Sequence, residues 1–170
     1  MRLLVLAAAV AALAACGAPP SAVTDASDTV ASVTDGDTLR LTNGDRVRLV
    51  QIDTPELGKG ECYAHEARSA LSRLLPPGTR VRLESDPRLD AVDSYGRRLA
   101  YVFKGRENVN VTLVARGAAS AYFYRGERGR YAAQLDRAAR AARHARRGLW
   151  GACPATPYAP DAGVDTGRGS

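Results

Sequence analysis

From Thr29 onward, apolar and polar positions alternate. The stretch TVASVTDGDTLRLTNGDRVRLVQI keeps this rhythm and breaks it only at Asp35-Gly36 and at Asn43-Gly44. Period-two alternation punctuated by turn dipeptides predicts three short strands with tight connections. VRLESD and RLAYVFKG predict two more, with PRLDAVDSYGR as the loop between them. Helical spacing takes over in EARSALSRLL, which Pro76-Pro77 stops, and in VNVTLVARG, which Gly117 can end in a left-handed cap. The longest helix is predicted from about Arg130 to Arg147, with Tyr131, Leu135, Ala138, Ala142 and Ala145 on one face and Gly148 as its stop. Five mostly antiparallel strands with about three helices inserted late point to an α+β fold dominated by a small five-stranded barrel of the OB type.

Two registers are open at the Asn43-Gly44 turn. A two-residue loop pairs Leu39 with Arg48 and Leu41 with Arg46, which wastes both leucines. A three-residue loop of Asn43, Gly44 and Asp45 pairs Leu41 with Val47 and Leu39 with Leu49. Burying four aliphatics together contributes roughly 1.5–3 kcal/mol each, more than turn preferences differ, so the second register is expected. Extended, it sets Asp37 opposite Gln51, with Asp53 its diagonal neighbour on the same face.

Two carboxylates so placed repel, and a cation or a proton makes them tolerable. Oxygen donors alone favour a hard metal, Ca2+ rather than zinc. In RLVQIDTPE, Pro55 biases Thr54 to an extended conformation, which offers the Thr54 carbonyl as a third ligand beside Asp53. Glu56, just past the rigid proline, is placed to take a proton from a nearby water. Arg48 faces away from Val47 and Leu49 in an ideal pleat, so reaching this site requires barrel curvature or a bulge.

Charge adds the partner class. The net charge is +6 with a pI near 9.6, and Lys59 and Lys104 are the only lysines, so the excess is arginine. That balance favours polyanions, either nucleic acid or an acidic membrane surface. The arginines of the last helix, Arg137, Arg140, Arg143 and Arg147 among them, fall mainly off its apolar face and read as a solvated surface.

The ends of the chain have a different composition. Residues 1–15, MRLLVLAAAVAALAA, read as a secretory signal, too short to span a bilayer as a lone helix. Leu13-Ala14-Ala15-Cys16 resembles the lipobox of bacterial lipoproteins, which would leave Cys16 lipid-bearing and the protein anchored to a membrane; ordinary cleavage near a cysteine is the alternative. Gly17 after Cys16 favours an outer-membrane address if the source is Gram-negative. Residues 16–28 suit a flexible tether, 29–153 the folded domain, and 154–170 a disordered tail. With Cys16 assigned to lipid, Cys62 and Cys153 remain as one pair in an exported chain, either disulfide-bonded or as two unpaired thiols.

Four blocks, VTDGDTLRL, RLVQIDTPE, DSYGRRLAYV and GLW, resemble in order and spacing the thermonuclease family typified by staphylococcal nuclease, across about Val30 to Trp150. The resemblance implies a monomeric OB-fold nuclease that uses Ca2+ to hydrolyse DNA and RNA, leaving 3′-phosphorylated ends. It implies Asp37 and Asp53 as carboxylate ligands of Ca2+ and Thr54 as a carbonyl ligand. Glu56 would be the general base, Arg48 and Arg97 the phosphate-clamping arginines, and Tyr95 and Tyr122 the nucleotide contacts. Ser94 departs from the family, whose type member has a lysine there, and the segment Leu57 to Cys62 is shorter than the corresponding loop. The alternative is a non-catalytic nucleic-acid-binding OB-fold lipoprotein.

Metabolic labelling with a lipid precursor tests the anchor: label is expected on the wild type and absent from Cys16→Ser. An unlabelled wild type removes it.

Overall fold

The computed structural model describes residues 27–153 and 155–167. The signal, Cys16 and most of the tether lie outside these residues. In chain order the strands are β1 (Ser27–Asp35), β2 (Thr38–Leu41), β3 (Arg46–Leu49), β4 (Ile52–Asp53), β5 (Arg80–Glu84), β6 (Arg98–Lys104), β7 (Glu107–Asn108) and β8 (Ser120–Ala121). The helices are α1 (Ala64–Leu74), α2 (Val109–Ala115), α3 (Ala132–His144) and the single turn α4 (Leu149–Ala152). The sheet runs β3-β2-β1-β5-β6-β7, and a parallel pairing of β3 with β6 closes its first five strands into the OB-type barrel. The five strands and three helices expected from periodicity are all present; β4, β7 and β8, at two residues each, are too short for alternation to reveal.

Alternation forces the core inward. Leu39, Leu41, Val47 and Leu49 are fully buried, and they meet Val81 and Val102 from the far side of the barrel. Leu71 of α1, Leu113 of α2 and Leu135 of α3 extend the same core. Gly117 follows α2 in the left-handed region (φ 69°) as expected. Along α3 the buried residues are Ala132, Leu135, Ala139 and Ala142, while Arg137, Arg140 and Arg143 stay exposed. Arg140 is absorbed by Asp136 at 2.9 Å.

The hairpin register differs from expectation. Leu39 pairs with Val47 and Thr38 with Arg48, so the loop is Thr42-Asn43-Gly44, one residue earlier than expected. It closes through Leu41 N–H to the Asp45 carbonyl (2.9 Å), and the Asn43 side chain accepts from Asp45 N–H (3.0 Å). A shift of two leaves every side chain on its face, so all four aliphatics are still buried. Asp37 consequently lies opposite Leu49, whose N–H donates to the Asp37 carbonyl (2.8 Å), not opposite Gln51.

β3 ends at Leu49, and the chain bends at Val50 and Gln51, the latter at φ 61°. This is the break in the pleat that Arg48 requires. A buried polar hub holds the bend. The Gln51 side-chain amide donates to the Glu127 carbonyl (2.7 Å), and its oxygen accepts from the Tyr101 hydroxyl and Gly129 N–H (both 3.0 Å). Asn110 Nδ2 donates to the Val50 carbonyl (2.8 Å). Polar groups this deep are tolerable only when fully paired.

Residues 155–167 do not match the disordered tail expected from composition. Tyr158 meets Trp150 edge-on with ring centroids 6.0 Å apart and donates to Asp136 (2.6 Å). Val164 is buried in a small second core with Leu149, Trp150 and Cys153. Docking of two apolar side chains on a surface that only the folded domain presents outweighs the local composition. Cys62 and Cys153 form a disulfide across a sequence separation of 91. A ring of that size stabilises by roughly 4 kcal/mol in the chain-entropy account.

Asp86 ties the loop before β6 to the start of α3. Its carboxylate accepts from Arg88 at both oxygens (2.9 Å each) and from Arg130 N–H (2.5 Å). The Arg88 hydrogen bonds, with the two backbone donors, hold its pKa well below the usual carboxylate range despite burial. Its contribution is therefore full above the unfolded value near pH 4 and is lost as pH falls toward the depressed folded value. Asp86→Asn is expected to cost about 1–3 kcal/mol at pH 7. The gap from wild type should narrow below about pH 4 in urea denaturation, and a pH-independent gap contradicts the assignment.

Candidate active site

One guanidinium organises the centre. The bend at Val50-Gln51 turns β4 back beside the start of β2, bringing Asp53 close to Asp37. Arg48 Nη2 lies 2.8 Å from Asp53 Oδ1 and 3.2 Å from Asp37 Oδ2, while its Nη1 donates to the Ile52 carbonyl (3.0 Å). The two acids meet through Arg48 and the bend, not as diagonal neighbours in a flat ladder.

A hydrogen-bond chain extends outward from this pair. The Thr38 hydroxyl donates to Asp37 Oδ1 (2.8 Å) and accepts from Arg97 Nη1 (3.3 Å). Arg97 Nε donates to Asp93 Oδ2 (2.7 Å), and Asp93 Oδ1 gathers the N–H groups of Tyr95 and Arg97 (2.9 Å each). Both arginines are thus oriented before anything binds.

Thr54 is buried beside this centre. A Cβ on Gly36 would lie 2.7 Å from Thr54 Oγ1, so only glycine lets the turn before Asp37 approach this closely. Glu56 is exposed, with its backbone N–H on Glu61 Oε2 (2.9 Å).

Arg48, Arg97, Tyr95 and Tyr122 line one open cleft of about 480 Å3. The Arg97 guanidinium lies over the exposed Tyr95 ring at 5.3 Å, and Tyr122 meets Tyr124 with centroids 6.3 Å apart. Tyr124 and Arg125 line the same cleft and were not foreseen. Asp37, Asp53, Thr54 and Glu56 are not among its lining residues. Thr38 and Asp93 were also missed, although each adjoins or precedes a foreseen residue in DGDT and DSYGR.

Electrostatics at the centre are strained by like charge. Burial pushes the Asp53 carboxyl up to about 6, against the opposing pull of Val164 N–H and Arg48, and Asp37 and Glu56 push it further. Asp35 is raised too, first by burial and then by Asp37 and Glu56. Burial acts to lower Arg48, but Asp37 and Asp53 outweigh it and hold the guanidinium above its usual value.

Such a set suits a hard cation. The donors are carboxylates with a buried carbonyl-bearing residue beside them, and one guanidinium serves two acids while Asp35 and Glu56 add negative potential. Among the described residues no three His, Cys, Asp or Glu side chains gather where they could hold a metal. The set expected from sequence asks for only two side chains, Asp37 and Asp53, plus the Thr54 backbone oxygen.

The staphylococcal nuclease homologue family matches residues 46–152, more than half of the chain. A thermonuclease of Staphylococcus intermedius is 41% identical over 101 residues, covering 56% of this chain and 59% of that protein. The SPbeta prophage-derived endonuclease YokF of Bacillus subtilis is 41% identical over 98 residues, 53% of this chain and 32% of its own length. An uncharacterized endonuclease of Haemophilus influenzae is 37% identical over 97 residues, 55% of this chain and 51% of its own. The chain spans between 32% and 59% of the length of these relatives.

Arg48→Met leaves Asp37 and Asp53 facing each other without their shared cation. The expected cost is about 3 kcal/mol in metal-free urea denaturation at pH 7. Added Ca2+ should recover part of that loss. A variant as stable as wild type without metal shows that the two acids are not held in repulsion.

Proposed function

As the chain belongs to the staphylococcal nuclease homologue family, we propose that it is a Ca2+-dependent nuclease hydrolysing phosphodiester bonds of DNA and RNA to 3′-phosphorylated products. The observation that carries this reading is the pair of acids gathered on Arg48, with Arg97 oriented beside them at a cleft lined by Tyr95 and Tyr122. Asp37 and Asp53, with the Thr54 carbonyl, would hold the metal, which supplies positive charge to the scissile phosphate.

The chain's own groups account for the rest. In-line attack of water on phosphorus builds negative charge on the equatorial oxygens, and the planar guanidinium groups of Arg48 and Arg97 are matched to it. Glu56, exposed and just past Pro55, takes the proton of the attacking water. The bond to the 5′ oxygen breaks, and that oxygen takes its proton from solvent, since arginine stays charged throughout. Tyr95 contacts a nucleotide phosphate, and Tyr122 offers the nucleotide an aromatic face, which tolerates any base.

Export fits the same reading. A disulfide persists in an oxidising compartment, and a lipid on Cys16 would tether a monomeric domain to the cell envelope, facing extracellular or periplasmic polynucleotide. Among the described residues no helix is long and apolar enough to cross a membrane.

The test is cleavage of DNA and of RNA by the mature protein with Ca2+ and with chelator. Activity is expected only with metal, and Glu56→Ala or Arg48→Ala is expected to lose roughly 10²–10⁴-fold in kcat. Binding without cleavage by the wild type would assign a non-catalytic nucleic-acid-binding module instead.

A further inference from the structure

Asp53 is held from two sides by parts of the chain far apart in sequence. Oδ1 takes the Arg48 guanidinium, and Oδ2 accepts the backbone N–H of Val164 at 2.9 Å, across a separation of 111 residues. The approach is tight: a Cβ on Gly163 would lie 2.8 Å from Asp53 Oδ2 and 3.7 Å from the Tyr122 ring, and Gly163 has φ +83°. Only glycine fits that conformation at that distance.

The segment is also anchored at both flanks of this contact. Before it, the Pro160 carbonyl accepts from Phe123 N–H (2.6 Å), next to Tyr122. After it, the Thr166 hydroxyl donates to the Cys62 carbonyl (2.8 Å), and the Gly167 carbonyl accepts from Cys62 N–H (2.9 Å). Cys62 itself is bonded to Cys153, just ahead of the segment. Val164 is buried against Trp150 and Cys153, and Tyr158 packs on Trp150.

We infer that residues 160–167 are a working part of the site, whose Val164 N–H positions the Asp53 carboxylate for the cation. This rests on the metal reading above. A hydrogen bond to one oxygen of a ligating carboxylate fixes its orientation. The anchoring argues for support over a displaceable cover, because the segment is fastened on either side of the contact and buries an aliphatic side chain. Nothing in the amino-acid pattern announces this role, since the donor is a backbone amide.

Three variants separate positioning from packing. Val164→Pro removes the N–H, Gly163→Ala forces the backbone away from Asp53, and Val164→Ala keeps the donor while trimming the packed side chain. Ca2+ binding is measured by calorimetric titration with the metal alone, and fluorescence of Trp150, the single tryptophan, reports whether the segment stays docked. Val164→Pro and Gly163→Ala are expected to bind Ca2+ about tenfold more weakly or worse, with Val164→Ala within about twofold of wild type. Hydrogen exchange adds a readout on the unmutated protein: the Val164 amide should be protected.

An unprotected Val164 amide, a Val164→Ala loss equal to that of Val164→Pro, or unchanged or tighter binding in Val164→Pro and Gly163→Ala overturns the inference alone. A wild type that takes up no Ca2+ overturns the metal reading beneath it, and this inference with it.

Discussion

Two acids sharing one guanidinium in a partly buried corner is the constraint on which the rest depends. Asp37 and Asp53 repel, and burial makes the repulsion costlier. Arg48 resolves it from a position between them, so the backbone must deliver residues of β3, β4 and the turn before β2 to within hydrogen-bond reach of one guanidinium. The parallel seam of β3 with β6 serves the same end, setting Arg48 beside Leu99 and so bringing the Asp93–Arg97 loop to the mouth of the cleft. Charge at the centre and closure of the barrel are solved by the same strand.

Paired polar groups brace the backbone around the centre. Gln51, in the left-handed region, gives its side chain to Tyr101, Gly129 and the Glu127 carbonyl. Asp86 then fixes Arg130 and the loop before β6. These contacts join the bend that carries Asp53 to the wall that carries Tyr124 and Arg125. Side chains oriented in advance lose little freedom when an anionic ligand arrives, which is what electrostatic stabilisation of a developing charge requires.

Much of this was legible in the residues. Alternation located the five barrel strands, helical spacing located α1 to α3, and the DGDT and DTPE turns marked the acids that Arg48 brings together. The hairpin register was not legible, for a definite reason: an even shift preserves which face each side chain occupies, so burial cannot distinguish offsets differing by two. The bend at Gln51 escaped because glutamine gives no signal for a left-handed backbone. Tyr158 and Val164 dock on surfaces built by α3, α4 and Cys62, which no window of local composition contains. Thr38 works through its hydroxyl between two foreseen residues, and it becomes visible only when Arg97 arrives from 59 positions away.

The disulfide has a consequence for how the molecule comes into being. Cys153 lies beyond the last helix, and the ring it closes with Cys62 encloses α1, most of the barrel's second half and Arg97. A polypeptide emerging amino end first exposes its acids early and receives its covalent clasp last. Ripening of the centre is therefore coupled to synthesis through Cys153 and to the redox state of the space the chain enters, so a product truncated before Cys153 or still reduced lacks this fastening.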